Sequence, residues 1–116
     1  MNFEEAREKH AQWRFTFRSA IVDRTTLDLA AIAQGDRCAV GRWLHGEARA
    51  RYAGLPSYGG CLSTHDAFHV EASRVATLIN AGRYDEAGEL LGLGSAYSLA
   101  SATFGQALNA LEAEAG

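Results

Sequence analysis

Six side chains in this 116-residue sequence carry imidazole or thiol chemistry: His10, His45, His65, His69, Cys38 and Cys61. Imidazole nitrogens and thiolates are the donors that borderline-soft divalent metals accept, zinc above all, and zinc gathers four of them in a tetrahedron. His65 and His69 are four residues apart, so on a helix their rings leave one face about 6 Å apart along the axis and converge on one ion. Spacing alone is weak evidence, because helical histidines often fall four apart. The surroundings add to it. Both sit on an apolar stripe with Leu62, Ala72, Ala76 and Ile79, where an unpartnered imidazole loses its water at a cost of about 1–3 kcal/mol. A backbone carbonyl or a serine satisfies one such histidine, and that is the metal-free reading. His10, on a second stripe, makes a third seam histidine and is harder to explain in that way.

Cys38 is the expected fourth ligand. Asp36 reads as the N-cap of a helix starting at Arg37, which puts Cys38 in a first turn where the helix dipole and Arg37 favour the thiolate. Without the histidines it reads as a structural cysteine. Cys61 competes, since it precedes His65 by four residues, but it lies eight residues from His69, about 12 Å along one helix axis. It cannot join both histidines, so it is expected to pack in the core. His45, beside Gly46, is expected at the surface.

A metal held by His10, Cys38, His65 and His69 has no open position for substrate or water, which points away from an enzyme. The HExxH pattern of zinc hydrolases is missing too, since Asp66 follows His65. Two other readings stay open. A haemerythrin-like or di-iron bundle also puts histidines on helix seams but needs Glu-x-x-His motifs, and here only Asp66 stands three residues before a histidine. A structural helical module with satisfied core histidines needs no metal.

The elements that would position these side chains are helical. Apolar residues recur at steps of three and four, strand-type alternation is absent, and Pro56 is the one proline. Phe3, Ala6, His10, Trp13, Phe17 and Ala20 predict a helix over residues 3–22. A short piece spans 26–33. The Cys38 segment runs through Leu44, resumes over 47–52 and stops at Gly54-Leu-Pro56. Ser57 is a candidate cap for a long helix that ends at Ala81, with Gly82 following. Residues 84–91 form a short helix, and Ser95 caps the last one, with Tyr97, Ala100, Phe104, Ala107 and Leu111 on its stripe. Short turns between long amphipathic helices predict an all-α, antiparallel four-helix-type bundle with additional short helices, a single domain over residues 1–116.

Composition fits that class, with 47% hydrophobic and 22% charged residues. A formal charge of -3 argues against nucleic acid as a partner; Arg42, Arg49 and Arg51 cluster, but Glu47 interrupts them. The first ten residues hold no apolar signal region, and no stretch approaches the roughly 20 apolar residues of a membrane span. The expectation is a cytoplasmic protein with no membrane partner and with reduced or metal-bound cysteines.

Three segments taken in order resemble a known family. His10-Ala-Gln-Trp13, Cys38-Ala-Val-Gly41-Arg-Trp43-Leu44 and His65-Asp-Ala-Phe68-His69 are similar to the motifs of the bacterial chemoreceptor zinc-binding (CZB) domain, and the resemblance covers nearly the whole chain. It implies a helical bundle that often forms a homodimer, with Zn2+ held by three histidines and one cysteine. It also implies a regulatory role beside chemoreceptors or diguanylate cyclases, in chemotaxis or cyclic-di-GMP signalling, with zinc or oxidants such as hypochlorous acid as the signal. No receptor signalling hairpin or cyclase domain is present in this sequence, so the expectation is a free-standing or excised module.

Overall fold

The computed structural model describes residues 1–116, all of them in helices, turns or short connections, without strands. Helix α1 spans Phe3–Asp23, capped at its start by Asn2, whose Oδ1 accepts the Glu5 N–H at 2.8 Å. It ends where Arg24 turns into the left-handed region at φ 55° and donates its N–H to the Ala20 carbonyl. Four short helical segments follow: α2 (Leu29–Ala33), a 3-10 turn over Gly35–Arg37, α3 (Ala39–His45) and α4 (Glu47–Tyr52). Helix α5 covers Tyr58–Asn80, α6 Tyr84–Leu90 and α7 Ala96–Ala115. Ser95 caps α7 by accepting the Ser98 N–H at 3.1 Å.

Chain direction follows from polar contacts between helices. Asn80 at the end of α5 accepts the Leu27 N–H and donates to the Leu27 carbonyl, both at 2.8 Å, while Tyr58 at the start of α5 donates to the Leu44 carbonyl at 2.6 Å. Residues 27–52 therefore run antiparallel to α5. Helix α7 is antiparallel to both α5 and α1, because Glu114 accepts the Ser57 N–H and Glu112 pairs with Arg7. The result is an up-down-up-down bundle of three long helices, α1, α5 and α7, and a fourth limb built from short helices in series. The expected four-helix-type architecture is present, with its fourth member broken.

The break has a local cause. A Cβ on Gly41 would sit 1.9 Å from the Gly35 carbonyl oxygen and 2.9 Å from the Asp36 Cα. Two backbone segments meet there at a distance only glycine permits. The 3-10 turn and the first turn of α3 stack on this contact, and the expected cap shifts. Asp36 lies inside the turn, and Cys38 itself caps α3, its sulfur accepting the Gly41 N–H at 3.2 Å. Ser57 immediately precedes α5 as expected but does not cap it; its hydroxyl and N–H both turn to the Glu114 carboxylate.

Buried side chains form two apolar halves. One holds Phe3, Trp43, Leu44, Tyr58, Phe104 and Leu108 among its members, the other Phe17, Ile32, Phe68, Val75, Ile79 and Tyr97. Between them His10, His65 and His69 are the buried polar side chains, 8%, 2% and 1% exposed. No helix is long and apolar enough to cross a membrane.

Candidate metal centre

Each half of the site is held by a different limb. On α5, His65 and His69 are one turn apart with ring centroids separated by 4.6 Å. Facing them, the broken limb brings Cys38 so that its Sγ lies 3.4 Å from His65 Nε2. One donor atom from each of Cys38, His65 and His69 falls within 4.8 Å of the other two. Zinc bonds of about 2.3 Å to sulfur and about 2.0–2.1 Å to nitrogen give a tetrahedral sulfur-to-nitrogen edge of about 3.5 Å. The Cys38–His65 separation already matches that edge.

His69 supplies the clearest sign of a ligand. Its Nδ1 is 2.7 Å from the Ile32 carbonyl oxygen. A carbonyl only accepts, so Nδ1 carries the proton and Nε2 presents a bare lone pair. That Nε2 is buried and has no hydrogen-bond partner. Burying such an acceptor unpaired costs about 1–3 kcal/mol, and a metal ion removes the deficit. A backbone carbonyl orienting the far side of a coordinating imidazole is also the usual outer arrangement of zinc sites.

Protonation favours ligation by the histidines. Burial pushes His65 down to about 3, with the neighbouring His69 and His10 adding to the effect. His10 is lowered to about 4, first by burial, with the Ser101 contact acting the other way. His69 is lowered by burial against the opposing pull of Ile32 and Asp66. All three are neutral near pH 7, the form that offers a lone pair. Cys38 departs from the sequence-based expectation. Burial raises its thiol, and the N–H groups of Gly41 and Val40 and the charge of Arg42, rather than Arg37, oppose the rise without overcoming it. In the thiol form it donates to the Gly35 carbonyl at 3.3 Å. Metal binding must therefore displace that proton.

His10 lies in the same buried layer but outside the three-residue cluster. Its ring stands edge-on to Phe68 at 4.3 Å, and its Nε2 is 2.8 Å from Ser101 Oγ on α7. Cys61 is fully buried, its Sγ 3.3 Å from the Ala107 carbonyl, and burial pushes its thiol up to about 11. It packs in the core as expected, and His45 is exposed as expected. Sequence reasoning missed Ile32 and Ser101, which contribute a carbonyl and a hydroxyl that no residue pattern announces. Gly35 is a third such residue; a Cβ there would stand 3.2–3.3 Å from Asp66, His65 and His69, so its bareness makes room for the rings.

The family model of the chemoreceptor zinc-binding domain matches residues 10–76. The chain belongs to that family. The matched span of this CZB domain starts at His10, contains Cys38, His65 and His69, and ends within α5, leaving α6 and α7 outside it. No curated protein and no solved structure matches the chain. Membership agrees with the donor set, since one sulfur and imidazole nitrogens in a buried layer make a zinc-type site rather than the carboxylate-rich site of a di-iron bundle.

Proposed function

We propose that this CZB domain is a zinc-dependent sensory module, without enzymatic activity of its own, in which His10 joins Cys38, His65 and His69 as the fourth ligand. The observation that carries the reading is the orphaned Nε2 of His69 facing a cysteine and a second histidine. Bound zinc supplies a fixed positive charge that holds the Cys38 thiolate and three neutral imidazoles together. Cys38 sits on the broken limb and the histidines on long helices, so occupancy governs how tightly that limb docks. Cys38 is also the half-buried member of the set, while His65 and His69 are closed off. A cleft walled by Lys9, Gln12, Trp13 and Thr16 of α1 opens onto it.

An oxidant acting there takes Cys38 thiolate and hypochlorous acid to a sulfenic acid and chloride, which removes a ligand charge and frees the limb. The output is read by a chemoreceptor or a diguanylate cyclase in the cytoplasm. Self-association into a homodimer is supported by Phe15 and Val22, 73% and 79% exposed and seven residues apart on α1.

The test is metal content and its response to oxidant. Protein purified without added metal should carry one zinc per chain, and one equivalent of hypochlorous acid should release it to a chromogenic chelator. Two irons per chain, or zinc retained after Cys38 oxidation, would sink the proposal.

A further inference from the structure

His10 stands outside the cluster that gathers Cys38, His65 and His69 within 4.8 Å, and its Nε2 is engaged by Ser101. The contact is short, 2.8 Å, and the ring it holds is only 8% exposed. His65 and His69 both present Nε2 to the site. Ligation of His10 through the same nitrogen breaks its contact with Ser101 Oγ, because one ring nitrogen cannot hold a hydroxyl and a metal ion at once. Phe68 and Phe104, edge-on at 4.3 and 4.9 Å, flank the ring with apolar faces and offer no replacement partner.

We propose that Ser101 and the metal ion compete for His10, so that completing the four-ligand site breaks a tie between α1 and α7. This rests on the reading of His10 as the fourth ligand. The tie matters because few other hydrogen bonds join these two helices. Arg7 reaches Asn109 and Glu112 from the exposed surface, where such pairs contribute little. The sheltered side-chain hydrogen bonds between the two helices are His10 with Ser101 and Arg14 with Ser98. Ion binding thus loosens α7 at mid-height while tightening Cys38's limb. By reciprocity, anything that presses α7 onto α1 weakens the site. Helix α7 lies outside residues 10–76, the span matched by the family model.

Zinc affinity measured by competition with a chromogenic chelator tests this. Ser101→Ala removes the competitor, and serine to alanine within a helix raises helix propensity, so the variant folds. Its zinc affinity should rise about two- to tenfold, the equivalent of one ordinary hydrogen bond. Ser101→Thr, which keeps a hydroxyl, should return close to the parent value. His10→Ala should weaken binding, and adding Ser101→Ala to it should change nothing further, which isolates the pair. Weaker or unchanged affinity in Ser101→Ala, with His10→Ala still weakening, overturns the competition. Unchanged affinity in His10→Ala overturns the four-ligand reading instead.

Discussion

The Ile32 carbonyl oxygen lies 2.7 Å from Nδ1 of His69, and this one contact decides which nitrogen of the ring faces the site. It joins the broken limb to α5, and it leaves Nε2 bare in the buried layer. Ile32 is itself 4% exposed, anchored in the half of the core that holds Phe68 and Val75. The side-chain packing of an isoleucine thus fixes the tautomer of a histidine.

Because the lone pair of His69 has no other outlet, removing His69 should abolish the response to metal. Chelation should lower the thermal midpoint of the parent protein, as expected for loss of a ligand that binds only the native state. His69→Ala and Cys38→Ser should weaken zinc binding by more than about 10- to 100-fold, the effect of losing an outer partner alone. Differential scanning fluorimetry with and without chelator checks this: equal shifts in parent and variants would contradict it.

The two thiols should react in a fixed order. In metal-free protein at pH 8, iodoacetamide should label half-buried Cys38 before Cys61, which is fully buried with its thiol pushed up to about 11. Zinc should protect Cys38 and leave the slow labelling of Cys61 unchanged. Peptide mass mapping over a time course reads both rates.

Glycines at two kinds of position should answer oppositely to alanine. Gly41→Ala places a Cβ 1.9 Å from the Gly35 carbonyl and must move one backbone segment, so it should destabilise by about 1–3 kcal/mol or more and weaken zinc binding. Gly59→Ala in α5 and Gly105→Ala in α7 meet nothing within 4 Å. Each should stabilise by about 0.5–1 kcal/mol through reduced freedom of the unfolded chain. Urea denaturation midpoints give the sign directly.

Alkaline stability should depend on Tyr97. Burial pushes its phenol up to about 12, with the guanidinium of Arg14 acting in the opposite direction, against about 10 in an unfolded chain. Between those values the unfolded state gives up a proton that the native state keeps. The stabilisation is complete below pH 10 and is lost as pH rises toward 12, a change of at most about 3 kcal/mol. Tyr97→Phe should flatten the dependence of unfolding free energy on pH across that window.

Much of this arrangement is legible in the sequence, and the unreadable parts share one cause. The stripes through His10 and through His65 and His69 are periodic over whole helices, so their burial follows from spacing. The eight-residue separation of Cys61 from His69 removes that cysteine by geometry alone. Cys38's role as an N-cap is different, because it depends on Gly35 and Gly41 approaching across the 3-10 turn, a contact created by tertiary packing. Ile32 and Ser101 are invisible for the same reason. One acts through a backbone carbonyl and the other is a small polar residue on a helix rich in alanine, so neither has a pattern of its own. The raised Cys38 thiol also escapes the sequence, since proximity to a helix start is readable but the depth at which that start is buried is not.

The layer of imidazoles between two apolar halves gives the bundle a waist. Cooperative folding depends on side chains passing their packing along the core, and at this level the core offers lone pairs instead of methyl groups. Without a metal, the end containing Trp43 and Tyr58 and the end containing Ile32 and Ile79 should open as two separate territories joined by the long helices. Amide exchange along α5 should then divide into two protection classes meeting near His65. On the proposed function, one ion at the waist should fuse them into a single unit, and the extent of cooperativity, rather than any one displacement, is then the quantity that a signal would change.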